Sequence, residues 1–168
     1  LNMRQNDGGW AVPTRTLRGE DAVTLMQAMR KREPIQPDKS KPFSHLITGI
    51  VLRAFATHPR YRSAREARRA GELLKSRFFK PDTYPDRKAP SFWTKFTYPF
   101  WFIDLLSSLD SLSLLGFTSE DPHVRKAFRW LIDRQQEDGL WRVKLLKTGD
   151  KDLRLWVSLA ICRVFKRL

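Results

Sequence analysis

Asp104, Ser108 and Ser111 recur at i, i+4 and i+7 within an otherwise apolar run, a spacing that places a carboxyl and two hydroxyls on one face of a helix. A carboxyl among apolar neighbours can serve as a general acid, or in its ionised form can stabilise a developing cation. Asp110 supplies a second carboxylate nearby, on a different face. A structural reading competes with this one: the carboxylate caps a neighbouring helix or pairs with one of the many arginines. His45, in the first turn of a helical run that opens after Ser44, is the other acid–base candidate. Its alternative is a hydrogen-bonded structural histidine. His58 and His123 stand beside prolines at helix boundaries, and no His-x-x-His or Glu-x-x-His pair occurs. Cys162 is the single cysteine, so the spacing offers neither a disulfide nor a cysteine-based zinc cluster. No metal or other cofactor is expected.

Aromatic side chains form the second chemical feature. Trp93, Phe96, Tyr98, Phe100 and Trp101 are the densest cluster. In one reading they line an apolar pocket, joined by Trp156, where ring faces also favour a cation. In the other they roof the core or cover an exposed hairpin edge, and Trp156 joins Trp10, Trp130 and Trp141 as a core or turn-packing residue.

Composition bounds the partners. The chain has 168 residues with 41% hydrophobic and 12% aromatic content, which suits one domain with a real core. Its net charge of +14 raises the prior for an anionic partner: nucleic acid, a membrane surface or a phosphorylated ligand. The arginines of the basic segments, among them Arg65, Arg68, Arg69, Arg125 and Arg129, read as a solvated face with diphosphate or anionic-lipid attraction as a milder use. Those segments lack interleaved aromatics for base stacking, so nucleic acid is disfavoured. No apolar run approaches the roughly 18 residues that cross a bilayer, and no leader pattern opens the chain. One cysteine fits a reducing compartment, so a cytoplasmic location is expected. Leu1 falls inside what reads as the end of a repeat, and the sequence is expected to be part of a longer protein.

These residues must be positioned by helices. The pattern predicts an all-α chain with a helix over 19–33 carrying Val23 and Met26 on its apolar face, then a proline-rich loop. Helices follow over 44–57 (N-cap Ser44), 64–79 (capping box Ser63 and Glu66), 100–115, 121–137 (N-cap Asp121 before Pro122) and 150–166. Between the second and third of these lies a long loop, 80–99, in which prolines alternate with aromatics; such loops are uncommon in compact domains and often functional. Apolar helices alternate with basic amphipathic ones.

Internal repetition accounts for the alternation. Residues 67–84 align without a gap on 124–141, matching Arg68 to Arg125, Ala70 to Ala127, Leu74 to Leu131 and Arg77 to Arg134, with Tyr84 falling on Trp141. A Gln, an Asp-Gly pair and a tryptophan recur in two turns, from Gln5 to Trp10 and from Gln135 to Trp141. In these turns and this helix order the chain resembles the prenyltransferase and squalene-cyclase repeat family. The resemblance implies a partial α/α toroid over one domain, 1–168, with 19–33 as an inserted helix and 44–168 as the repeat core. Helices 44–57, 100–115 and 150–166 would be inner, and 64–79 and 121–137 outer. It also implies an apolar or prenyl diphosphate ligand, and a second copy or another chain over the open repeat edges. The family's Asp-x-Asp-Asp acid motif and its Asp, Cys and His zinc ligands are missing. A binding module is therefore the first expectation. A cyclase- or prenyltransferase-like enzyme completed elsewhere, and a basic scaffold for nucleic acid or protein, remain beside it.

Overall fold

The computed structural model describes residues 2–17, 22–32, 34–99, 102–145 and 152–168. Within them the chain is mostly helical: α1 (Pro13–Thr16), α2 (Ala22–Lys31), α3 (His45–Thr57), α4 (Pro59–Arg62), α5 (Arg65–Ser76), α6 (Leu105–Leu114), α7 (Pro122–Ile132) and α8 (Leu153–Phe165). Two short strands, β1 (Lys95–Phe96) and β2 (Lys144–Leu145), pair in parallel with Lys95 opposite Lys144. They tie the aromatic loop to the segment following Trp141.

Helix α6 is the hub. It packs on α3 to one side and α8 to the other, while α5 lies against α3, α6 and α7, and α7 against α6. The helices thus form a row of α3, α6 and α8 and a second row of α5 and α7. Between the rows sits a core in which Leu52, Leu74, Leu105, Leu109, Leu131 and Ile161 are fully buried. Close approach depends on two helical glycines. A Cβ on Gly49 would stand 2.2 Å from Ile103 Cγ1, and one on Gly71 would stand 2.6 Å from Phe117 Cε2.

The helix starts show which local signals prevailed. Ser44 opens α3, its Oγ accepting from the Ile47 N–H. Asp121 opens α7, accepting from the N–H groups of His123 and Val124 at 2.9 and 3.2 Å, with Pro122 first in the helix. The expected capping box of Ser63 and Glu66 does not form: Ser63 closes the unforeseen turn α4, and α5 starts after Ala64 without a side-chain cap. Helix α6 begins at Leu105 and not at residue 100, because Asp104 captures the Ser107 N–H and becomes its N-cap. Helix α7 ends at Ile132 because the chain there enters a tight turn. Val23 and Met26, expected inward, are 63% and 61% exposed on α2.

The two Gln-to-Trp turns share one geometry. Gln5 N–H donates to Gly9 O and Gly8 N–H to Gln5 O; likewise Gln136 N–H donates to Leu140 O and Gly139 N–H to Gln136 O. The bonds therefore align Gln5 with Gln136, not with Gln135. In each turn the Asp Oδ1 accepts from the N–H two residues on, at 3.0 Å, and the glycine takes a positive φ, +106° at Gly8 and +78° at Gly139. Each tryptophan is then pinned to a helix by a hydroxyl: Trp10 N–H donates to Thr48 Oγ1 at 2.8 Å and Trp141 N–H to Ser158 Oγ at 3.1 Å.

Candidate functional site

Two of the sequence candidates meet at the N-terminal ends of α3 and α6, around a residue the sequence did not single out. Asp104 is fully buried, and its carboxylate accepts from Ser107 N–H (2.8 Å) and Thr97 N–H (3.1 Å). Burial pushes its pKa up to about 6, against those hydrogen bonds and the positive charge of Arg87. His45 is also buried, its ring 4.6 Å from that of Trp93 and its Nε2 3.7 Å from Asp82 Oδ2. Burial lowers its pKa to about 4, with Asp82 opposing and the cations Arg77 and Arg87 assisting, so the imidazole is neutral near pH 7. Its Nδ1 has no hydrogen-bond partner. Asp82 itself, arriving from the aromatic loop, accepts from Ser44 Oγ at 2.8 Å and from the N–H groups of His45 and Leu46. It completes the cap of α3.

Arg87 is the common element. Its backbone is held at φ +55°, in the left-handed region that an arginine adopts only where its surroundings over-determine it. The guanidinium lies between two rings, 4.3 Å from the Phe92 centroid and 4.7 Å from that of Phe102. One Nη donates to Phe92 O at 3.4 Å, while the buried Nε finds no partner among the described residues. Burial holds its pKa below the usual guanidinium range, with the Asp104 carboxyl working the other way. Asp86, the adjacent residue, is committed elsewhere, pairing through both oxygens with Arg15 at 2.9 Å. Arg87 borders a cleft of about 320 Å³ whose apolar wall includes Val12, Leu46, Ile47 and Phe102. The result is a desolvated cation with free donors at the edge of an apolar hollow, an arrangement suited to a planar or tetrahedral anion.

The remaining candidates are placed differently. Trp93 and Phe96 are each 1% exposed and belong to the core, with the Trp93 indole N–H donating to Lys80 O at 2.9 Å. Tyr98 is partly buried against that core. Trp156 stands on the outer face of α8, 49% exposed, beside Leu155 and Leu159. Phe100 and Trp101 lie outside the described residues. Ser108 is buried with its Oγ unpartnered, while Ser111 Oγ donates to Ser107 O. Asp110 pairs with Arg167. As an N-cap, Asp104 does not share a helix face with these serines as expected. Among the described residues no group of three or more His, Cys, Asp or Glu converges as a metal ion would require. No helix there is long and apolar enough to cross a membrane. The loop position of Arg87 was the available signal for it, since 80–99 stood out for its length and aromatics.

Comparison with protein-family models, curated proteins and solved structures finds no match to this chain. The likeness to the prenyltransferase and squalene-cyclase repeat family therefore rests on the turn residues and helix order.

Proposed function

We propose that this protein is a ligand-binding module built as a partial α/α toroid, whose cleft at the start of α3 takes a small amphipathic anion. Arg87 grips the anionic head, and Val12, Leu46, Ile47 and Phe102 shelter the apolar tail. The two-row packing of α3, α6 and α8 against α5 and α7, together with the paired Gln-to-Trp joints, supports the toroid reading. The observation that carries the ligand reading is the buried Arg87 Nε without a partner, on a guanidinium wedged between two rings beside the cleft. Leaving such a donor unsatisfied costs about 1–3 kcal/mol, and an anion at the cleft edge, taken up by the Nη groups, would offset the burial of the same guanidinium. Asp104 does not supply the missing partner: its carboxylate accepts from the Thr97 and Ser107 N–H groups and acts on Arg87 only through its charge. A cleft of about 320 Å³ is at the small end of ligand sites, which favours a short isoprenoid chain over a long one.

Thermal denaturation with geranyl diphosphate, geraniol and inorganic diphosphate tests this. Ligand near 100-fold above its dissociation constant stabilises by about 2.7 kcal/mol, a rise of several degrees in Tm. Geranyl diphosphate should give that rise, geraniol none, and Arg87→Met should abolish it. An equal shift in Arg87→Met, or none at millimolar ligand, rejects the site.

A further inference from the structure

We propose that a second cleft, on the outer row of helices, binds single-stranded nucleic acid. This groove of about 450 Å³ runs along α7 and holds Arg125, Lys126, Arg129, Trp130, Asp133 and the ring of Phe79, which comes from the end of α5. Three cations thus face one carboxylate. Among the described residues none of the three has a carboxylate partner: Arg125 donates to the carbonyls of Ser119 and Glu120, and Lys126 lies 5.3 Å from the Phe79 centroid. Uncompensated lysine and arginine in a groove attract a polyanion, and release of its counterions makes the attraction salt-dependent.

Phe79 gives the partner its class. It adopts φ +62° where the chain leaves α5, a position that glycine fills with little strain. Its ring rests half-buried on the edge of the core, whereas the neighbouring Phe78 is enclosed, 5% exposed and packed edge-on against Trp93. The strained backbone turns a half-exposed aromatic into the basic groove. Trp130 adds a second half-exposed ring, braced by Arg134 at 3.7 Å from its centroid. Rings among unpaired cations are the chemistry that stacks bases while holding phosphates, and only unpaired strands present base faces to it. Sequence position hid this pairing, since Phe79 lies in the turn after α5 and Trp130 on α7.

Fluorescence anisotropy with a labelled oligothymidine of about 16 nucleotides provides the test. Affinity should fall steeply between about 50 and 200 mM salt, and the double variant Lys126→Glu, Arg129→Glu should lower it by more than about tenfold. Phe79→Gly should lower it about tenfold while the protein still melts cooperatively, because glycine relieves the backbone strain as the ring is lost. Duplex DNA of equal length should bind more weakly. Unchanged affinity in both variants, equal affinity for duplex, or binding to phosphatidylserine vesicles with none to the oligonucleotide would each overturn the proposal.

Discussion

His45 and Asp104 titrate in opposite senses within one buried cluster. Folding lowers His45 from 6.5 to about 4, so between those values the unfolded chain carries a proton that the folded protein lacks. Its contribution to stability is present above pH 6.5 and is lost as the pH falls through about 4. Asp104 is raised from 3.8 to about 6, so its contribution is present below the lower value and is lost as the pH rises through the upper one. Each shift corresponds to roughly 3 kcal/mol, and across their common window the two nearly cancel. Asp121 and Asp138, held below the usual carboxylate range, act at lower pH. The parent protein should therefore show a nearly level urea midpoint from pH 4 to 6, the window the two shifts share. Asp104→Asn should lose stability as the medium is acidified, and His45→Gln should gain it. If both variants keep the parent's profile, the buried cluster does not titrate as described. Neither environment was legible in the sequence, which marked both residues for their chemistry. It could not show that one loop arginine reaches them both, because the left-handed turn at Arg87 is imposed by tertiary contacts.

Elements were more legible than sites, because helix signals are local. Ser44 and Asp121 act as the caps their positions predict, and the alternation of apolar with basic helices becomes two rows. Errors arose where a polar side chain had two possible employments. Ser63 ends one turn where it was expected to start a helix, and Asp104 caps α6 where the spacing put it within the helix on a face with Ser108 and Ser111. Of the two readings the aromatic loop allowed, Trp93 and Phe96 follow the one that takes their apolar surface into the core. How closely the rows approach is set by contacts that no local pattern announces, above all Gly49 against Ile103. Gly49→Ala should cost about 2 kcal/mol through overpacking, despite alanine's better helix propensity. Removing the obstructing atoms with Ile103→Ala should make the two changes strongly non-additive, the double variant being no less stable than Ile103→Ala alone. Denaturant melts of the three variants measure this, and simple additivity would show that the helix, not the contact, is what alanine disturbs.

At the scale of the whole molecule the charge is the dominant fact: 32 lysines and arginines against 18 acidic residues. Several of those acids are drawn into pairs that hold elements together. Lys75 on α5 bonds Glu72 of the same helix and Asp121 at the start of α7, and although burial opposes its charge, those two partners outweigh it and raise its pKa. Arg167 binds Asp110, fastening the end of the chain to α6. The exposed pairs, such as Arg154 with Asp138, contribute little that salt would remove. What remains is a surplus of cations, many of them on α5 and α7, where they repel one another in the folded state. Added salt should therefore have opposite effects on folding and on binding. Raising sodium chloride from about 10 mM to about 150 mM shortens the Debye length from about 30 to 8 Å, screening that repulsion while sparing the partly buried pairs. The melting temperature of the free protein should rise over this range, as oligonucleotide affinity falls. A melting temperature that drops with salt would mean that ion pairs outweigh the surplus charge, and that the basic surface is organised for the fold and not for a polyanion.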